Sequence, residues 1–225
     1  MKLRVTFGLW IGLLLGFGLA GCKQEESKPN SQAASASAPA PAVPKKETGP
    51  PITTTNDVAV IKTSAGTLVV EFWPDVAPRT VENFKKLARQ GFYDGTASHR
   101  ILAGFMAQMG DPLTKDPSAT SRWGMGDPGY TIPAEFNERK HERGVLSMAR
   151  GPDINSAGCQ FFVCFAAAPG LDNQYTTFGK MIRGEETLAR LEATPCGPGN
   201  PAENSRPVER VSVESIRIMP GKDVQ

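Results

Sequence analysis

With 225 residues, 40% of them hydrophobic, and with 23 glycines and 19 prolines, the chain has material for one domain of ordinary size rich in turns. Its formal charge of +2 comes from Lys2 and Arg4, since beyond residue 21 there are 23 basic and 23 acidic side chains. A neutral body without a basic stripe argues against nucleic acid as the main partner.

The chain begins MKLR and continues VTFGLWIGLLLGFGLA, an apolar run of signal-peptide length. It falls short of the roughly 20 residues that a spanning helix needs. The run closes on Leu19-Ala20-Gly21-Cys22, which resembles the lipobox of bacterial lipoproteins. That resemblance implies that residues 1–21 are a signal peptide and that Cys22 is lipidated, anchoring the mature chain to a membrane of the cell envelope. Lys23 stands where an aspartate would retain such a protein at the inner membrane. In a Gram-negative host this favours the outer membrane, facing the periplasm. Residues 22–56 are dominated by Ala, Ser, Pro and charge, and cannot bury enough surface to offset their ordering entropy. They read as a flexible tether, and the folded domain is expected over 57–220.

Val58–Lys62 and Thr67–Phe72 are β-rich runs separated by Thr63-Ser64-Ala65-Gly66, a hairpin signal. Thr80–Gln90 reads as a helix, with Val81, Phe84, Leu87 and Ala88 on one stripe and Gly91 just past its end. Short strands are expected at 97–102, 105–109, 144–148, 160–165, 176–182 and 210–218, with long loops at 110–131 and 150–159. A second helix is expected at Glu185–Ala193, before Pro195. Many short strands and only two helices point to a mainly β, closed antiparallel barrel capped by those helices.

Little in the chain could hold a metal. His99 and His141 are far apart and lack a second ligand at helical or finger spacing. His141 sits in ERKHER, read as a solvated charged loop. Cys159 and Cys164 fall on opposite faces of one strand, and a link from Cys196 to either stays open outside the cytoplasm. Cys164, flanked by Val163 and Phe165, reads as a buried thiol. No phosphate-loop or dinucleotide fingerprint occurs, so no cofactor is expected.

What remains is apolar surface with a few aimed polar groups. SHRILAGFMAQMGD (98–111) sets Arg100 and Gln108 beside Phe105 and Met106. A core strand would exclude the arginine, and a solvated strand would not carry Phe and Met next to it. In 160–163, Gln160 and Phe162 share one strand face, again an amide beside an aromatic ring. Two such stretches suggest one cleft.

Here the resemblance becomes specific. APRTVENF (77–84), GFYDG (91–95), HRILAGFMAQ (99–108), SMA (147–149), QFF (160–162) and FGK (178–180) are similar, in order, to segments of the cyclophilin peptidyl-prolyl isomerases. The resemblance spans residues 57–219. It implies an eight-stranded antiparallel barrel with two capping helices, an active face on its outside, and isomerisation of X–Pro bonds in proline-containing polypeptides by a monomer. It implies Arg100, Phe105 and Gln108 as catalytic residues, with Gln108 orienting the substrate backbone or the arginine. Met106, Ala149, Arg150, Gln160, Phe162, Leu171 and Tyr175 are the implied substrate-binding residues, and the backbone at 149–150 receives the peptide.

Three positions depart from many eukaryotic members. Gly170 precedes Leu171-Asp172 where they carry tryptophan, Tyr175 stands for a histidine, and Arg150 for an asparagine. The missing tryptophan leaves room for a second reading, a peptide-binding or chaperone module of the same fold with weak turnover. Two readings are open for Trp123 in the long 110–131 loop: simple packing of the loop, or an edge to a pocket for the residue before the X–Pro pair.

Overall fold

A computed structural model describes residues 56–200 and 203–224. The leader, Cys22 and the tether to residue 55 lie outside the described residues. The first hairpin joins β1 (Asp57–Thr63) to β2 (Gly66–Phe72). The Thr63 hydroxyl closes the turn, donating to the Gly66 carbonyl at 2.8 Å and accepting from the Ala65 amide at 3.2 Å. Gly66 has φ +130°, and a Cβ there would lie 2.4 Å from Thr187 Oγ1, so a larger residue would meet both strain and a clash.

Helix α1 (Pro78–Arg89) follows, then β3 (Thr96–Ser98), β4 (Arg100–Leu102), β5 (Met106–Met109), β6 (Val145–Met148), β7 (Phe161–Cys164) and β8 (Thr177–Arg183). Helix α2 (Glu185–Glu192) precedes β9 (Cys196–Asn200), β10 (Glu203–Pro207) and β11 (Val211–Pro220). Nine strands form one antiparallel sheet in the order β3-β11-β1-β2-β8-β6-β7-β5-β4, and β9 and β10 form a separate ribbon.

The two ends of that order, β3 and β4, are consecutive in the chain and separated by His99 alone. One segment, 96–102, therefore pairs with β11 through its first half and with β5 through its second. Covalent continuity through His99 closes the barrel. The eight strands implied by the sequence become nine because this run is broken at His99.

The apolar stripe of α1 behaves as its spacing predicts: Val81, Phe84, Leu87 and Ala88 are all buried. Phe84 carries that face into the barrel, its ring lying 5.1–5.7 Å from those of Phe72, Tyr93, Phe161 and Phe178. Such aromatic contacts add to burial a modest directional preference. The helix starts with Pro78, and its cap residue Ala77 offers no side-chain acceptor. Glu135 takes that place, accepting from the Arg79 amide at 3.0 Å and the Thr80 amide at 2.8 Å. In α2, Leu188 and Leu191 are buried at the other end.

Two expectations are corrected. His141 is not solvated: it is 1% exposed, because Asp172 and Ser147 draw the ring into the wall while its charged neighbours stay outside. The ribbon of β9 and β10 was not foreseen, since CGPGNPAENSRP carries glycine and proline signals and no alternation. Cys159, Cys164 and Cys196 are free thiols.

Candidate active site

Residues paired directly across an antiparallel sheet point to the same face. Arg100 pairs with Gln108, Gln108 with Phe162, Met106 with Cys164, and Phe162 with Ser147. These side chains therefore share the outer face of the barrel. Their neighbours Ile101, Ala107, Met109, Phe161 and Val163 alternate inward and belong to the main core. A second, smaller apolar cluster forms outside, with Met106, Phe162 and Cys164 buried and Leu102, Phe105, Ala149, Leu171 and Tyr175 packed against them.

A cavity of about 130 Å³ opens on this cluster. It is lined by Arg100, Phe105, Met106, Gln108, Ala149, Arg150, Phe162, Leu171 and Tyr175. That is room for roughly four waters, or for one small ring. Nine of the ten site residues named from the sequence meet here. Gln160, the tenth, lies one step away on the wall of an adjoining cavity of about 540 Å³ that shares Gln108, Ala149 and Arg150. The two hollows are thus parts of one groove.

The floor is held rigidly from behind. The ring of Phe162 stacks on His141, with centroids 6.0 Å apart and planes at 15°, and Tyr175 meets it edge-on at 6.1 Å. His141 Nδ1 lies 3.0 Å from Asp172 Oδ1, and its Nε2 lies 3.0 Å from Ser147 Oγ. Burial lowers the His141 pKa, outweighing the hydrogen bond and charge of Asp172, which act to raise it. The neutral ring then donates from Nδ1 to the carboxylate, and the one Ser147 hydroxyl proton lies within reach of both His141 Nε2 at 3.0 Å and the Thr176 carbonyl at 3.1 Å. With Ser147 completely buried, this Asp–His–Ser row is a support and not an exposed nucleophile. Sequence reading missed it because its members lie 6 and 31 residues apart and the charged run around His141 signals solvent.

The polar groups are placed with equal care. Arg100 is 33% exposed at the cavity edge, and Glu203 binds it at two points. Gln108 Nε2 donates to Gln160 Oε1 at 3.0 Å, and Gln160 Nε2 donates to the Gly124 and Gly126 carbonyls at 3.0 and 2.8 Å. The Gln108 amide nitrogen is thus turned toward Gln160 and does not steady the arginine. Arg150 lies over the Tyr175 ring at 4.6 Å and donates from Nε and Nη2 to the Gln174 carbonyl, both at 3.1 Å. Its side chain as well as its backbone therefore builds the wall. The Ala149 amide already donates to the Gln160 carbonyl at 2.9 Å.

The 110–131 loop edges the larger cavity, but through residues between Gly124 and Thr131. Trp123 is not among the lining residues. Its indole donates to the Asp116 carbonyl at 3.1 Å, and Arg210 lies 5.9 Å from its ring. The loop is pinned by buried Asp111, whose carboxylate accepts from the Leu113 and Gly124 amides. Among the described residues no group of three His, Cys, Asp or Glu side chains could hold a metal.

An antiparallel barrel carrying an outer groove of apolar floor, amide and guanidinium matches a known class. Residues 58–218 match the family described as cyclophilin type peptidyl-prolyl cis-trans isomerase/CLD. A peptidyl-prolyl cis-trans isomerase-like 2 protein of Cryptococcus neoformans is 42% identical over 163 residues, 72% of this chain but 27% of that protein. A probable peptidyl-prolyl cis-trans isomerase of Brucella abortus is 39% identical over 153 residues, 66% of this chain and 75% of the other. A Cryptosporidium parvum cyclophilin type peptidyl-prolyl cis-trans isomerase, crystallised in the presence of the dipeptide Ala-Pro, superposes with a TM-score of 0.63. The identity there is 32%, covering 72% of this chain and 98% of that one. The chain belongs to the cyclophilin-type peptidyl-prolyl cis-trans isomerase family.

Proposed function

We propose that this protein isomerises X–Pro bonds of polypeptides by non-covalent catalysis, with the Arg100 guanidinium as the key donor. The observation that carries the reading is the position of Arg100 on the rim of the Phe105–Met106–Phe162–Leu171 cavity, on the same sheet face as that floor. Rotation about a peptide bond crosses a barrier of about 18–20 kcal/mol because it breaks amide resonance. In the twisted bond the nitrogen lone pair is no longer shared with the carbonyl. A hydrogen-bond donor beside that nitrogen stabilises the twisted state more than the planar one. Each tenfold acceleration needs about 1.4 kcal/mol, so a few directed interactions suffice without metal or covalent intermediate.

The cavity receives the proline ring and excludes water, which strengthens the arginine's interaction. The Gln108–Gln160 pair and the adjoining cavity take the chain before the proline. Substitution of Arg100 by Ala should reduce kcat/KM on a short X–Pro peptide by about 10²–10³-fold while the melting temperature and circular dichroism stay near wild type. An Arg100→Ala protein with wild-type turnover would overturn the mechanism.

The same proposal places the domain in a bacterial envelope as a monomer, lipid-anchored at Cys22 and facing the periplasm in a Gram-negative cell. The basic start, the apolar run and Leu19-Ala20-Gly21-Cys22 support this. Cys22→Ala should release the protein from the membrane fraction, or leave it as an uncleaved precursor. Unchanged processing and lipid labelling would overturn the anchor.

A further inference from the structure

We infer that Glu203, on the ribbon of β9 and β10, is a positioning residue for Arg100. Its carboxylate accepts from Arg100 Nε at 3.2 Å and from Nη2 at 3.0 Å, a two-point bond to the plane of the guanidinium. Among the described residues Glu203 is the one hydrogen-bond partner of that side chain. An arginine on a flexible stem samples many rotamers, and a fork held at two points samples few. A guanidinium has five N–H donors, and this arrangement uses two, leaving three for a substrate amide.

The ribbon is built to deliver this carboxylate. Glu203 pairs with Asn200 and Asn204 with Pro198, and the register shifts between Glu203 and Asn204. Such a bulge re-aims a side chain relative to its strand. Ser205 and Pro207 are buried behind it. A Cβ on Gly199 would lie 2.9 Å from both the Arg206 nitrogen and Ser205 Oγ, so the two strands approach closely only with glycine there. The Val208 amide donates to the Pro195 carbonyl at 2.9 Å and closes the base of the ribbon. Glu203 remains 26% exposed, beside the cavity and outside the barrel core, so its removal leaves the fold's packing in place.

This inference rests on the isomerase reading, and its test separates the two. Steady-state rates on an X–Pro peptide are measured for wild type, Glu203→Ala, Glu203→Gln, Arg100→Ala and the double variant Glu203→Ala with Arg100→Ala. Glu203→Ala should lower kcat by about three- to tenfold with KM nearly unchanged and an unchanged melting temperature. Glu203→Gln, which keeps one acceptor oxygen, should recover part of that loss. In the Arg100→Ala background, removing Glu203 should have no further effect, because the carboxylate acts through the guanidinium. Glu203→Ala at the wild-type rate or faster, or a loss that persists without Arg100, overturns the positioning role. If Arg100→Ala itself keeps full activity, the failure belongs to the isomerase mechanism instead.

Discussion

The stability of this domain should fall between neutral pH and about pH 4, and His99 should be a main cause. His99 joins β3 to β4 and is 9% exposed, and its Nδ1 has no hydrogen-bond partner among the described residues. Burial lowers its pKa from 6.5 to about 4; the nearby Asp111 carboxylate acts the other way, and Arg100 adds to the lowering. Below pH 6.5 the unfolded chain binds a proton on this residue that the folded chain refuses until about pH 4. Each pH unit across that window therefore costs about 1.4 kcal/mol, and the whole window about 3 kcal/mol. Above pH 6.5 the contribution is intact, and below pH 4 it has been lost in full. Urea unfolding followed by tryptophan fluorescence at pH 7, 6, 5 and 4.5 measures this directly. His99→Phe, a ring that cannot titrate, should flatten the slope by about that amount, leaving a residual slope from His141, whose pKa is also lowered by burial. The Asp94 and Asp172 carboxylates, held below the usual range by hydrogen bonds from Arg217 and His141 respectively, contribute stability that is lost mainly as the pH falls below 3.8. A wild-type stability that is flat from pH 7 to 4.5, or a His99→Phe slope equal to wild type, refutes the reasoning.

Glu135→Ala leaves the Arg79 and Thr80 amides without their acceptor and should cost about 1–2 kcal/mol in chemical denaturation; a loss under a few tenths would mean water replaces it fully. Phe162→Ala should cost about 3–5 kcal/mol and raise KM for X–Pro peptides, since it removes the cavity floor and the face of the ring that stacks on His141. Burial pushes the Cys159 and Cys164 thiols up to about 12, so neither should alkylate at pH 8 until denaturant is added, as peptide mass spectrometry would register.

The groove was legible because its parts repeat at strand period. Arg100, Met106, Gln108 and Phe162 each alternate with a core residue, so once the strands are placed they fall on one face. The stripe of α1 was legible for the corresponding helical reason. His141 was not, because a run of charged neighbours signals solvent, and only the distant Asp172 and Ser147 turn its ring inward. Glu203 was hidden more deeply. It lies 103 residues from Arg100, in a segment of glycine and proline, and a register shift decides where its carboxylate points. Trp123 follows the plainer of its two readings, loop packing: Asp116 and Arg210 hold its ring away from the cleft.

The hollow proposed to take the proline is carried on the outer wall of the barrel, whose interior is filled by the rings around Phe84. In the proposed isomerase a long polypeptide would therefore be laid sideways into the groove at an internal proline and lifted off again, with neither end threaded through the protein. On that proposal clients would need no free terminus, and partly folded chains with one accessible proline stretch would qualify as readily as short peptides.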